Sequence, residues 1–238
     1  IDYARVWTAK RAVLQACLED CSGRGLPEFA GFVCAGGDKL RNHALFETLA
    51  EEAGTVDRSR WPEAWRAPSL EERARLAERF AEGVRLRCFL QWCAERQLAR
   101  AAARSSRVGL YRDLALGVAR DSGEVWSAPD VFAKGVSIGA PPDPFAADGQ
   151  NWNLPPFIPQ ELLRTGLAPM AEILAANMRS AGALRIDHVL GFARQFWIPD
   201  GASGAQGAYV GFPIDALIAL TSQLSAAAGC CIIGEDLG

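Results

Sequence analysis

The sequence predicts an α/β protein whose first part is all helical, and three observations predict it. Through residue 105, apolar side chains recur at intervals of three and four with no repeat or low-complexity tract. Beyond that point three short apolar runs read as strands: Val108–Leu116, Gly182–Val189 and Gly229–Ile233. Helical segments lie between them, and strand, helix, strand, helix, strand is the repeat of an α/β barrel.

Taken in order, Tyr3, Val6, Trp7, Val13, Leu14, Cys17 and Leu18 line one face of a first helix over residues 2–20, closed by Ser22–Pro27. A Gly36-Gly37 break precedes a second helix from Asp38 to Ala53, with Leu45, Phe46 and Leu49 on one side. His43 on this helix reads as a packing or surface residue. Trp61-Pro62-Glu63-Ala64-Trp65 forms an aromatic turn. Ser69-Leu70-Glu71-Glu72 has the form of a capping box. In the long helical region after it, Leu70, Leu76, Phe80, Val84, Phe89, Trp92 and Cys93 mark the buried face and Gly83 a break.

Asp113 lies near the end of the first strand. Residues 139–156, rich in Pro and Gly, read as a long ordered loop without sheet or helix. Trp152 in that loop has two readings: an aromatic platform for a sugar among the amides of Gln150, Asn151 and Asn153, or an anchor to the core. A helix over 169–180 leads to the second strand. A Gly- and Ala-rich loop then precedes a crossover helix over 213–228 with Ile214, Leu217, Ile218 and Leu220 inward.

The second and third strands end in Asp187 and Glu235, 48 positions apart, which is room for one loop, crossover helix and return strand. Acidic residues at the carboxyl ends of parallel strands sit where α/β barrels do chemistry. Neighbouring strands lie about 4.8 Å apart, close to the roughly 5 to 5.5 Å between the two carboxyl groups of a retaining glycosidase. The structural alternative is that Asp187 pairs with Arg185 or His188 and Glu235 caps a helix.

Composition narrows the partners. Half of the 238 residues are hydrophobic, and 25 basic and 28 acidic side chains are mixed along the chain for a net charge of −3. This gives no reason to expect nucleic acid or an anionic membrane, and a neutral substrate fits better. No stretch has the length of a transmembrane helix, and Ile1–Arg5 does not open a signal peptide. Seven cysteines without a Cys-x-x-Cys motif, and only two histidines, read as reduced cytoplasmic thiols rather than a metal site.

The segments 109–115, 139–143, 149–152, 183–189, 207–210 and 234–238, six motifs in order, resemble those of amylomaltase, the 4-α-glucanotransferase of glycoside hydrolase family 77, in its longer bacterial form. The resemblance implies a (β/α)8 barrel, with residues 1–105 as a helical subdomain inserted in it and 106–238 as its central part. Only about three barrel strands are spanned. That makes the chain an internal fragment, inactive alone, whose unpaired barrel edges offer a route to self-association.

The family's nucleophile matches Asp187 and its acid/base Glu235. Arg185 matches the arginine that keeps the nucleophile ionised. Asp113 matches an acidic position at a strand end, Asp143 and Trp152 the loop over the cleft, and His188 the sugar-binding wall. The implied activity is transfer of α-1,4-glucan segments between maltooligosaccharides with no cofactor and no metal. A non-catalytic glucan-binding fragment and a hydrolase of the α-amylase clan are the rival readings; a helical scaffold leaves the acidic strand ends unexplained.

Overall fold

A computed structural model describes residues 1–23, 27–105, 109–115 and 117–236. The chain divides into two compact units, Ile1–Leu98 and Ala99–Gly238. The first is built from helices α1 (Tyr3–Gly23), α2 (Pro27–Ala53), α3 (Glu63–Arg66), α4 (Leu70–Arg79) and the start of α5 (Ala81–Arg104). Its core gathers Leu18, Phe29, Ala44, Leu86, Cys88, Phe89 and Trp92, with Phe29 packed at 5.8 Å on Phe89 and 5.6 Å on Trp92. The capping box at Ser69 forms with both its bonds, so α4 starts where the sequence indicates.

Three helical expectations are corrected. The Gly36-Gly37 break is a kink at Gly37 within α2, which reaches back to Pro27. The later break falls at Phe80; Gly83 lies inside α5, where a Cβ would come within 2.5 Å of Thr48 Cγ2, so it serves close packing between helices. Leu70, at the first position after the cap, is 79% exposed and not part of the buried face.

The second unit holds two sheets. Strands β1 (Tyr111–Leu114), β4 (Ala183–Ile186) and β7 (Cys231–Gly234) are parallel in the order β1-β4-β7. Strands β2 (Val136–Ala140), β3 (Gln150–Leu154), β5 (Arg194–Pro199) and β6 (Ala208–Gly211) are antiparallel in the order β3-β2-β5-β6. Between them lie α6 (Gly123–Ser127), α7 (Pro159–Arg164), α8 (Ala168–Met178) and α9 (Ile214–Ala228). The first strand expectation also covered Val108 and Leu116, which lie outside the described residues.

One face of the parallel sheet is a core. Leu184 and Ile186 alternate onto it, as strand geometry requires, and pack with Leu174 and Met178 of α8 and with Leu220 and Leu224 of α9. Arg112, on β1, donates to the carbonyls of Ala176 and Asn177 at 3.1 Å, capping the carboxyl end of α8 with a cation. On α9, Leu217 is buried and Leu220 packs on the core as expected, and Thr221 joins them, whereas Ile214 and Ile218 are 39% and 51% exposed, so half of the expected inward face turns outward.

The antiparallel sheet is the main departure from expectation. Residues 139–156 contain a hairpin, β2 and β3, and only 141–149 connect it as loop. The prolines sit in that connection and after β3, where they break no ladder. The register slips between Ile138 and Gly139, and a Cβ on Gly139 would lie 2.0 Å from the Gln150 carbonyl oxygen. Gly139→Ala is therefore expected to destabilise the fold by about 1–3 kcal/mol, as overpacking does, and to lower the melting temperature. A thermal melt by circular dichroism checks it; an unchanged midpoint would contradict this account of the hairpin.

Candidate active site

Arg185 is the centre of the site, and strand register puts it there. It alternates to the face of β4 opposite Leu184 and Ile186. Across the ladder it stands level with Asp113 of β1 and Ile233 of β7. Two residues on, Asp187 shares its face. The guanidinium reaches both ways: Nη1 donates to Asp113 Oδ1 at 2.7 Å and Nη2 to Asp187 Oδ1 at 2.7 Å. The same Nη2 lies 3.7 Å from Glu235 Oε2. Three carboxylates from three adjacent strands thus meet one cation. The bond to Asp113 is the largest influence raising the Arg185 pKa above its ordinary value; burial opposes it and the bond to Asp187 adds to it.

Both strand-end carboxylates are rooted in the ladder. The Asp187 N–H donates to the Leu114 carbonyl at 3.1 Å and the Glu235 N–H to the Ile186 carbonyl at 3.0 Å. His188 then turns the chain in a left-handed conformation (φ 49°, ψ 57°), unusual outside glycine. That turn aims two successive amides at Glu235: the His188 N–H meets Oε2 at 2.7 Å and the Val189 N–H meets the main-chain carbonyl at 2.9 Å. Side-chain exposure grades from 21% for Glu235 through 41% for Asp187 to 64% for Asp113. All three are open to a ligand to different degrees.

The His188 imidazole stands edge-on to Trp152 of β3, ring centroids 5.5 Å apart. Trp152 is therefore beside the carboxylates rather than in a core cluster, and its indole N–H donates to Gln150 Oε1 at 3.1 Å. Asp143 is not brought into this group by any bond of its own: its Oδ1 accepts the N–H of Phe145 and of Ala146, both at 2.7 Å, and shapes the β2–β3 loop. So the structure brings together Asp113, Arg185, Asp187, His188, Glu235 and Trp152.

Of the two open readings of Asp187, pairing with Arg185 holds, and it is the same bond that sets Asp187 beside Glu235. Glu235 also meets the amino end of a short 3₁₀ helix, Val189–Phe192: its Oε2 accepts the His188 N–H and its main-chain carbonyl the Val189 N–H. Gln150, one of the amides expected around Trp152, is the partner of its indole N–H. Sequence reasoning missed the main chain of His188, which no side-chain pattern encodes.

A cavity of about 1040 Å³ lies within the helical unit, lined by Phe29, Val33, Leu45, Val84 and other residues, with none of these carboxylates. Among the described residues no cluster of His, Cys, Asp and Glu is fit to hold a metal ion, and no helix is long and apolar enough to cross a membrane.

Carboxylates at the carboxyl ends of neighbouring parallel strands, drawn to one arginine, define an α/β protein with a cluster of acids at the rim of its parallel sheet. The model of the 4-alpha-glucanotransferase family, glycoside hydrolase family 77, matches residues 1–238, and the chain belongs to that family. It is 40% identical over 222 residues to a 4-alpha-glucanotransferase of Haemophilus influenzae, covering 88% of this chain and 32% of that protein. The chain thus spans about a third of that relative's length. The crystal structure of an amylomaltase from Corynebacterium glutamicum superimposes with a TM-score of 0.80 at 32% identity, over 98% of this chain and 32% of that one. The fold is also that of the amylomaltase from Streptococcus agalactiae in complex with acarbose, at a TM-score of 0.86 and 23% identity, over 100% and 50% of the two chains.

Proposed function

We propose that this chain is the central part of the catalytic (β/α)8 barrel of a 4-α-glucanotransferase. In this reading β1, β4 and β7 are barrel strands and residues 1–105 are a helical subdomain inserted among them. Tyr111 and Ile233 support it: 57% and 43% exposed, they share the sheet face of Arg185 and are suited to the packed interior of a barrel. The observation that carries the functional reading is the single nitrogen, Arg185 Nη2, shared by Asp187 and Glu235.

The chemistry follows from that pairing. Glu235 protonates the glycosidic oxygen while an Asp187 oxygen attacks the anomeric carbon, giving a covalent glycosyl-enzyme and a released sugar. The 4-hydroxyl of an acceptor glucan then gives its proton to Glu235 and attacks the same carbon, freeing Asp187 with net retention. Glu235 Oε2 is already held by the His188 amide, which leaves Oε1 to carry the proton. Trp152 and His188 offer an apolar wall for a pyranose face, and Asp113 and Asp143 polar contacts for hydroxyls. The acarbose complex of the similar streptococcal enzyme supports a maltooligosaccharide-like ligand. Seven free thiols fit a reducing, cytoplasmic setting.

Incubation of the full-length protein with maltotriose tests the reading. Glucose together with oligosaccharides longer than the substrate is the expected result by chromatography. Shortened sugars alone would make the protein a hydrolase, and calorimetric binding without any product would make it a glucan-binding module.

A further inference from the structure

Arg120 lies in the segment after β1, away from the carboxylates in sequence, and is tied to three corners of the antiparallel sheet at once. Its Nε donates to Asn153 Oδ1 at 2.9 Å, at the β3 residue that follows Trp152. Its Nη2 donates to the Val136 carbonyl at 2.7 Å, where β2 begins. Nη2 and Nη1 also grip Asp200 beyond β5, at 2.6 and 3.3 Å, and the Asp200 N–H bonds the Gly135 carbonyl at 2.9 Å. The Arg120 side chain is only 29% exposed, so the pair is partly shielded from solvent.

Asn153 is the residue that makes this contact consequential. Its backbone is left-handed (φ 56°), a conformation asparagine tolerates better than most residues but that its surroundings must hold. The Asn151 side chain accepts its N–H at 2.8 Å and Arg120 holds its side chain. The direction of the preceding Trp152 ring, seated on His188, depends on that backbone staying put. A planar fork with several fixed donors meets three acceptors in three directions; a lysine ammonium on a flexible stem has no such fork.

We propose that Arg120 is a positioning residue: it fixes the Asn153 corner, thereby aims Trp152, and so sets the affinity of the site for glucan without entering the chemistry. The inference rests on the reading of Trp152 as a glucan platform. It concerns a residue whose bonds to Asn153, Val136 and Asp200 belong to the antiparallel sheet.

The test is maltotriose binding by calorimetry in full-length protein carrying Glu235→Gln, so that no turnover intervenes. Trp152→Ala is expected to weaken binding about tenfold, in keeping with the value of an aromatic contact. Arg120→Ala should weaken it about three- to fivefold, and Arg120→Lys should recover little. Adding Arg120→Ala to Trp152→Ala should weaken binding no further, because the arginine acts through the ring. Unchanged binding in Arg120→Ala, or a full additive loss in the double variant, overturns the inference while leaving the glucan reading intact. Absence of glucan binding by the parent protein overturns both. If Arg120→Ala folds poorly, Asp200→Asn, which loosens one arm of the fork, should give the same loss in smaller measure, and unaltered binding there also sinks the proposal.

Discussion

Asp187→Asn in the full-length protein is expected to abolish glucan transfer, with a loss on the order of 10⁵-fold, as removal of a covalent nucleophile does. Glu235→Gln is expected to lose about 10²–10⁴-fold on maltooligosaccharides, the usual worth of a general acid and base. The two losses have different chemical signatures. Fluoride leaves a sugar without being protonated, so α-glucosyl fluoride should still glycosylate the Glu235→Gln protein, and the covalent adduct should accumulate because the acceptor hydroxyl finds no base. Mass spectrometry should then place one glucosyl group on Asp187. The Asp187→Asn protein should show no adduct from either substrate. Neither change should unfold the chain: Arg185 keeps its 2.7 Å bond to Asp113 when Asp187 loses its charge, and Asp187 is 41% exposed. Transfer by Asp187→Asn at even a tenth of the parent rate, in a protein with an unaltered melt, would refute the assigned roles.

The carboxylate pair was legible because it depends on quantities a sequence carries openly. Strand alternation puts Arg185 and Asp187 on one face, and a spacing of one βα unit brings Glu235 to the neighbouring strand. Trp152 was legible as a choice between two roles, and contact with His188 decides its neighbourhood but not its ligand. The antiparallel sheet was hidden for a physical reason. Its edge strands β3 and β6, Gln150–Leu154 and Ala208–Gly211, are too polar or too short to show an apolar period of two, and the central pairing of β2 with β5 joins strands distant in the chain. Gly83 misled because a glycine that admits a neighbouring helix looks, in sequence, like one that ends its own. The left-handed turn at His188 had no residue signal at all, since only the ladder bonds of Asp187 and Glu235 demand it.

Arg185→Ala should lower the rate of glucan transfer by about 10²–10³-fold, the cost of losing one fixed donor to a reacting group. The guanidinium, its pKa raised chiefly by the bond to Asp113, stays cationic at every working pH. Its own contribution to stability, present below its unfolded pKa and lost only above the folded one, therefore does not vary across the neutral range. What its removal changes is the arrangement of the carboxylates. Asp187 loses the donor that holds it at 2.7 Å, and the nitrogen that stands 3.7 Å from Glu235 goes with it, so nothing on β4 ties the two acids together. Arg185→Lys separates charge from shape: it restores a cation, yet should leave the rate depressed, because one ammonium does not reproduce the fork that meets Asp113 and Asp187 together. Initial rates of transfer from maltotriose by the full-length variants measure both. An Arg185→Ala protein that keeps the parent rate would mean that the shared guanidinium does not orient the pair, and full recovery of rate in Arg185→Lys would mean that the fork geometry is immaterial.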